Sequence, residues 1–213
     1  MNIYHLVLLY LEYLDMKKMI PAVLIVLLVL IAFQSFMAIS TSKIEKQKYR
    51  VVKKETGFEV RFYPPATFAT MRSSAKSYKE LSSSGFRKIA GYIFGNNETS
   101  AKIAMTSPVH MDINQDGSTM SFVMPSQYDI KSLPRPNDAK VEIHESPSEY
   151  AAAIEFGGYA NDETISKYAA QLQKSLEEKG IKPIGHYRYL GYNPPYQLIG
   201  RKNEVIVAVE WKE

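Results

Sequence analysis

The chain has 213 residues, 46% hydrophobic and 23% charged, a globular composition long enough for one sizeable core. It contains no cysteine, which excludes disulfide staples, thiolate-bound zinc or iron–sulfur sites and a thiol nucleophile. Lys and Arg number 26 against 22 Asp and Glu, a net charge of +4, and the signs alternate, as in KSLEEK (174–179); this is a solvated surface, not the one-sided basic face of a nucleic-acid binder.

Residues Ile20 to Phe33 (IPAVLIVLLVLIAF) form a fourteen-residue apolar run, resumed by Phe36 to Ile39 and preceded by Lys17 and Lys18. The run is apolar on every face and lies near a terminus, which disfavours a buried core helix. Residues 1–40 therefore read as a signal peptide or signal anchor; the small-residue cleavage site at Ala38 and Ser40 is poor, which favours an uncleaved membrane anchor. Six basic residues between Lys43 and Lys54 follow the run, and by charge count alone they favour a cytoplasmic domain. A short tail with its own lysine pair, or a start at Met16 rather than Met1, is instead the layout of an exported protein. The main domain is accordingly expected on the non-cytoplasmic side.

Residues 41–48 read as a basic tether and 49–213 as the folded domain, with Ser42 to Lys54 showing strand character only at Tyr49 to Val52. Phe58–Tyr63 alternates apolar and polar residues as a half-buried strand does; Pro64 and Pro65 end it, and Ala66–Arg72 is a second strand. Ser77 with Glu80 predicts a capped helix whose Tyr78, Leu81, Gly85, Ile89 and Tyr92 form an apolar stripe. Lys102–Met111 and Thr119–Pro125 read as strands joined through Asn114–Gly117. The order then repeats: strand Tyr150–Phe156, a helix capped by Asn161 or Asp162 and closed by Gly180, and strands His186–Leu190 and Glu204–Trp211. Two similar strand-helix-strand-strand halves predict an α+β fold, a distorted antiparallel β-barrel with two outer helices, preceded by the N-terminal hydrophobic helix.

Motifs for nucleophile elbows, zinc hydrolases, dinucleotides or phosphate cradles do not occur, so a binding protein is expected rather than an enzyme. His110, His144 and His186 are not spaced as metal ligands, and no metal site is expected. The sequon Asn97-Glu98-Thr99 reads equally as a turn.

FEVRFY (58–63), KIAMTSPV (102–109), FVMP (122–125), FGGYA (156–160), GYNPP (191–195) and GRKNEV (200–205) occur in an order that resembles the SOUL haem-binding protein family over residues 49–213. The resemblance implies a distorted barrel and binding of haem or a related tetrapyrrole in a shallow apolar groove beside the first domain helix. Rings need apolar walls and propionates need cations. Phe86, Ile89, Ala90 and Ile93 are the candidate wall, and Arg87 and Lys88, with Lys79, the candidate rim. A histidine that some family members carry in the first-strand motif is Phe62 here, so no axial ligand is expected from that position. The Thr106 and Asn203 segments read as structural. The fold also resembles effector-binding domains of multidrug-responsive regulators, which supports an alternative role in binding other hydrophobic or cationic small molecules, with Glu155 and Glu204 as the recognising acids.

Overall fold

The computed structural model describes residues 3–212. Met1, one of the two candidate starts, lies outside them. Helix α1 runs Ile3–Ser42, and its stretch Met19–Thr41, 23 residues of mean hydropathy 2.8, is long and apolar enough to cross a bilayer. The remainder, from Ile44, is a separate compact unit.

In chain order that unit contains β1 (Glu45–Lys46), β2 (Arg50–Glu55), β3 (Phe58–Tyr63), β4 (Ala66–Ser73), α2 (Tyr78–Ile93), β5 (Thr106–Ser107), β6 (Val109–Asp112) and β7 (Ser118–Val123). The second half follows with β8 (Val141–Ser146), β9 (Glu149–Phe156), α3 (Asp162–Glu178), β10 (Pro183–Gly191) and β11 (Asn203–Val209). Nine strands form one antiparallel sheet, ordered β2-β3-β9-β11-β10-β6-β7-β4-β8. The expected repeat is visible in that order. β4-β7-β6 and β9-β11-β10 are equivalent triplets that meet between β6 and β10, and each half lends its leading strand to the other: β3 lies beside β9, and β8 beside β4.

This exchange bends the sheet. β3 and β4 stand six places apart in the strand order, about 29 Å in a flat sheet, yet only Pro64 and Pro65 separate them in the chain. Three Cα steps reach at most about 11 Å. β8 and β9, also six places apart, are joined by Pro147 and Ser148 alone. The sheet is therefore strongly curved, and β2 and β8 remain as edges, so the distorted barrel is not closed.

Alternation along the strands divides the sheet into a face covered by α2 and α3 and a helix-free face. Val60, Met71, Met120, Phe122, Ile154, Val205 and Val207 build the main core under the helices, together with Leu81, Ile89, Leu172 and Leu176. Ala153, Leu190 and Ile206 form a smaller cluster on the other face. Ser77 caps α2 by accepting from the Glu80 amide at 3.2 Å, while the Glu80 carboxylate takes the Lys76 amide at 3.0 Å. Asn161 caps α3 through a full reciprocal box with Thr164, and α3 ends with Gly180 at φ 65°, its amide on Glu177 O and that of Ile181 on Leu176 O.

Two expectations are corrected. Lys102–Met105 is not strand: the Ala101 amide goes to Asn97 Oδ1 and the Ile103 amide to Ile93 O, so this stretch is tied to the end of α2 rather than to a neighbouring strand. The segment read as a tether also contributes structure. β1 pairs in parallel with β5, Glu45 Oε1 accepts the Ser126 amide at 2.9 Å, and β2 is an edge strand on β3. Asn97 of the sequon is buried, its amide donating to Tyr92 O and Ala101 O, which makes it a turn residue.

At Gly85 the Met71 and Met120 side chains of the sheet fill the space beside α2, since a Cβ there would lie 3.0 Å from Met71 Cε and 3.2 Å from Met120 Cε. Gly85→Leu should therefore force the helix off the sheet and destabilise the fold by about 1–3 kcal/mol in urea unfolding, with a lower midpoint and little change in slope.

Candidate functional site

α2 carries all six candidate site residues, but the structure does not bring them together. Ile89 and Ile93 are essentially fully buried and Ala90 is 6% exposed; they face the sheet core and offer no wall to a ligand. An apolar stripe at helical spacing is the part of a surface helix that packs inward, and here it does. Phe86 is 36% exposed, with its ring 5.4 Å from Phe122 of β7. Lys88, two residues further, lies about 200° around the helix. It stands with Ser84 in a cleft of about 390 Å³ against β4 and β8, lined also by Met71, Arg72, Ser73, Lys140 and Glu142, and its ammonium lies 4.0 Å from Asp138. Arg87 is exposed between the two flanks.

Sequence reasoning missed Phe94. It caps α2, is 62% exposed, and lies eight residues after Phe86, about 12 Å along the helix and about 80° around it, towards the outermost side. Lys79, seven residues before Phe86, lies on the same flank; the exposed Lys102 follows the turn at the far end, where Ile103 bonds Ile93 O. The outer side of α2 thus exposes two aromatic rings, Phe86 and Phe94, with Lys79 towards one end of the helix and Lys102 beyond the other. The signal available in the sequence was an apolar residue off the core stripe. α2 contains no histidine, and its two tyrosines are engaged, Tyr92 Oη on Pro134 O at 2.9 Å and Tyr78 against the Tyr189 ring. Phe62 packs against Tyr150 on the other half of the sheet, with the Arg50 guanidinium over its ring. An apolar planar ligand with anionic edges suits this side of α2, whereas the helix beneath supplies no metal ligand.

The titratable residues of the helix-free face are satisfied within the fold. Glu204 of β11 is fully buried and receives both Arg61 guanidinium nitrogens, Nη1 at 2.9 Å and Nη2 at 3.0 Å, the Tyr192 hydroxyl at 2.7 Å and the Lys202 ammonium at 2.9 Å. Arg61 also donates from Nε to Glu59 at 3.0 Å and lies over the Tyr49 ring at 4.2 Å. Burial works against the Glu204 charge, but Arg61, Tyr192 and Lys202 together outweigh it and hold the carboxyl below its ordinary range. Glu155 pairs with Lys202 at 2.9 Å. Both acids considered for recognising a cationic ligand are thus engaged by the chain's own cations.

Tyr189 Oη donates to Asn203 Oδ1 at 2.7 Å, while the Asn203 amide donates to Gly158 O and Phe156 O, and the Thr106 hydroxyl donates to Val123 O. Both segments serve as structural ties.

His110 of β6, buried on this face beside the Phe68 ring, shares a 2.7 Å hydrogen bond between Nε2 and Gln47 Oε1. Burial, with a smaller contribution from nearby Arg188, pushes its pKa down to about 3. An unfolded histidine takes up a proton near pH 6.5 and the folded one does not. Stability should therefore fall by about 2 kcal/mol in total as pH drops from 7 to 5, above the range in which carboxylates titrate. His110→Asn should flatten that slope in urea unfolding at a series of pH values, whereas an unchanged slope would assign it to other groups.

A profile described as SOUL heme-binding protein matches residues 44–208. "Heme-binding protein 1" of Xenopus laevis is 32% identical over 160 residues, covering 72% of this chain and 84% of its own length. "Heme-binding protein 2" of Homo sapiens is 28% identical over 156 residues, with coverage of 70% and 76%. Among solved structures, the C-terminal domain of EcmrR is similar in fold alone, with a TM-score of 0.56 at 11% identity over 77% of this chain and 99% of that one. By the profile match and the sequence relatives, the chain belongs to the SOUL haem-binding protein family.

Proposed function

We propose that the protein binds haem or a related tetrapyrrole on the outer flank of α2. The macrocycle lies against the exposed rings of Phe86 and Phe94, and its propionates are met by Lys79, Arg87 or Lys102. The observation that carries this reading is the pair of exposed aromatic rings on the outer side of α2, in a chain whose relatives are named for haem binding. Burying two rings against a planar ligand removes apolar surface from water on both partners, and charge-assisted contacts at the rim orient the ligand. Neither the first-strand position, which is Phe62, nor α2 supplies an axial ligand, so binding is through the ring face.

The proposed role is binding. The buried charged groups Arg61 and Glu204 are committed to each other and to Glu59, Tyr192 and Lys202, and His110 to Gln47. Met19–Thr41 anchors the protein in a membrane, with the domain on the non-cytoplasmic side; its length and hydropathy support the anchor.

Haem titration of the full chain in detergent, followed by the Soret band, tests the site. Phe86→Asp, with folding verified by circular dichroism, should weaken binding at least about tenfold, since it places a charge under the ring. Lys88→Ala should leave binding unchanged, because Lys88 faces the other flank. Loss of binding in Lys88→Ala with retention in Phe86→Asp would move the ligand to the cleft against β4 and β8.

A further inference from the structure

The cluster around Arg61 is organised as a ligand site is. We propose that the helix-free face carries a guanidinium-binding site whose resident ligand is the chain's own Arg61, and that a free guanidinium cation occupies it when that side chain is removed.

The parts of the site come from separate segments. Arg61 belongs to β3 and Glu204 to β11, and β9 lies between those strands. On the helix-free face β9 presents Ala151, level with Arg61, and Ala153, level with Ile206, so a small-residue floor lets two long side chains reach across a whole strand and meet. Tyr63 Oη accepts from Arg61 Nη1 at 3.3 Å, Tyr49 covers the guanidinium plane, and Tyr192 donates to the carboxylate from beyond β10. A planar cation is thus met by a bidentate carboxylate, a second carboxylate from Glu59, a hydroxyl and an aromatic face, which is the geometry that distinguishes guanidinium from a spherical ammonium.

Without Arg61 the site acquires net negative charge: Glu59, Glu155 and Glu204 are left against two lysines, Lys202 shared between Glu155 and Glu204 and Lys54 at 3.8 Å from Glu59. Glu204 retains the Lys202 ammonium and the Tyr192 hydroxyl as partners that orient it. In the intact chain Arg61 closes the site to other cations, and the buried charges are committed to joining β3 to β11.

The test is thermal unfolding of full-length Arg61→Ala in detergent, followed by circular dichroism, with guanidinium chloride at ~10 mM, far below denaturing strength. Guanidinium should raise the melting temperature by a few degrees, on the order expected for a ligand present at several times its Kd. Equal sodium chloride or tetramethylammonium chloride should not, and neither the intact chain nor Arg61→Ala/Glu204→Gln should respond to guanidinium. If Arg61→Ala is unfolded without the cation, the readout becomes guanidinium-dependent recovery of the sheet signal. No guanidinium-specific response in either form, or an equal response in the double variant, would overturn the proposal.

Discussion

Two corners of two residues each determine this fold. Pro64–Pro65 and Pro147–Ser148 join strands that are six places apart in the sheet, and no flat sheet accommodates such short connections. Proline suits them because it cannot extend the preceding ladder and fixes its own φ. From the corners follow the exchange of β3 and β8 between the halves, the curvature of the sheet and the division of its surface into two faces of different chemistry.

The faces are used differently. Under α2 and α3 the sheet presents Val, Ile, Met and Phe side chains, and at Gly85 the Met71 and Met120 side chains seat α2 on β4 and β7. On the helix-free face alanines of β9 leave room, and long charged side chains from β3 and β11 fill it. A buried ion pair contributes little over an apolar isostere, but removing one partner strands the other in a dry site at a cost of about 3–5 kcal/mol. The Arg61–Glu204 pair therefore specifies which strands flank β9 more than it adds stability. With those charges engaged, the outer side of α2 exposes Phe86 and Phe94 together with Lys79, Arg87 and the following Lys102.

Much of this was legible in the sequence. The alternation in FEVRFY, the caps at Ser77 and Asn161, the Gly180 terminus and the repeated strand-helix-strand-strand order are local signals, and each reappears in the structure. The strand exchange was not legible, because which of two equivalent halves receives β3 is a matter of long-range pairing. The candidate wall residues Ile89 and Ile93 are buried in the structure, for a physical reason. A 3.6-residue apolar stripe identifies the inward side of a helix but does not say whether a core or a ligand fills it, and here the core does. Phe86 and Phe94 fall away from that stripe, and their exposure became visible only once the inward side had been fixed by packing. The spacing of Phe86 and Lys88, by contrast, already placed them on opposite flanks.

The central claim, that a tetrapyrrole lies across the outer flank of α2, is tested most directly by hydrogen–deuterium exchange of the full chain with and without haem. Segments containing 79–90 and 94–102 should gain protection on binding, while 70–74 and 139–142, which line the cleft on the opposite flank, should not change. Protection confined to the cleft segments, with the Phe86 flank unaffected, would contradict the account.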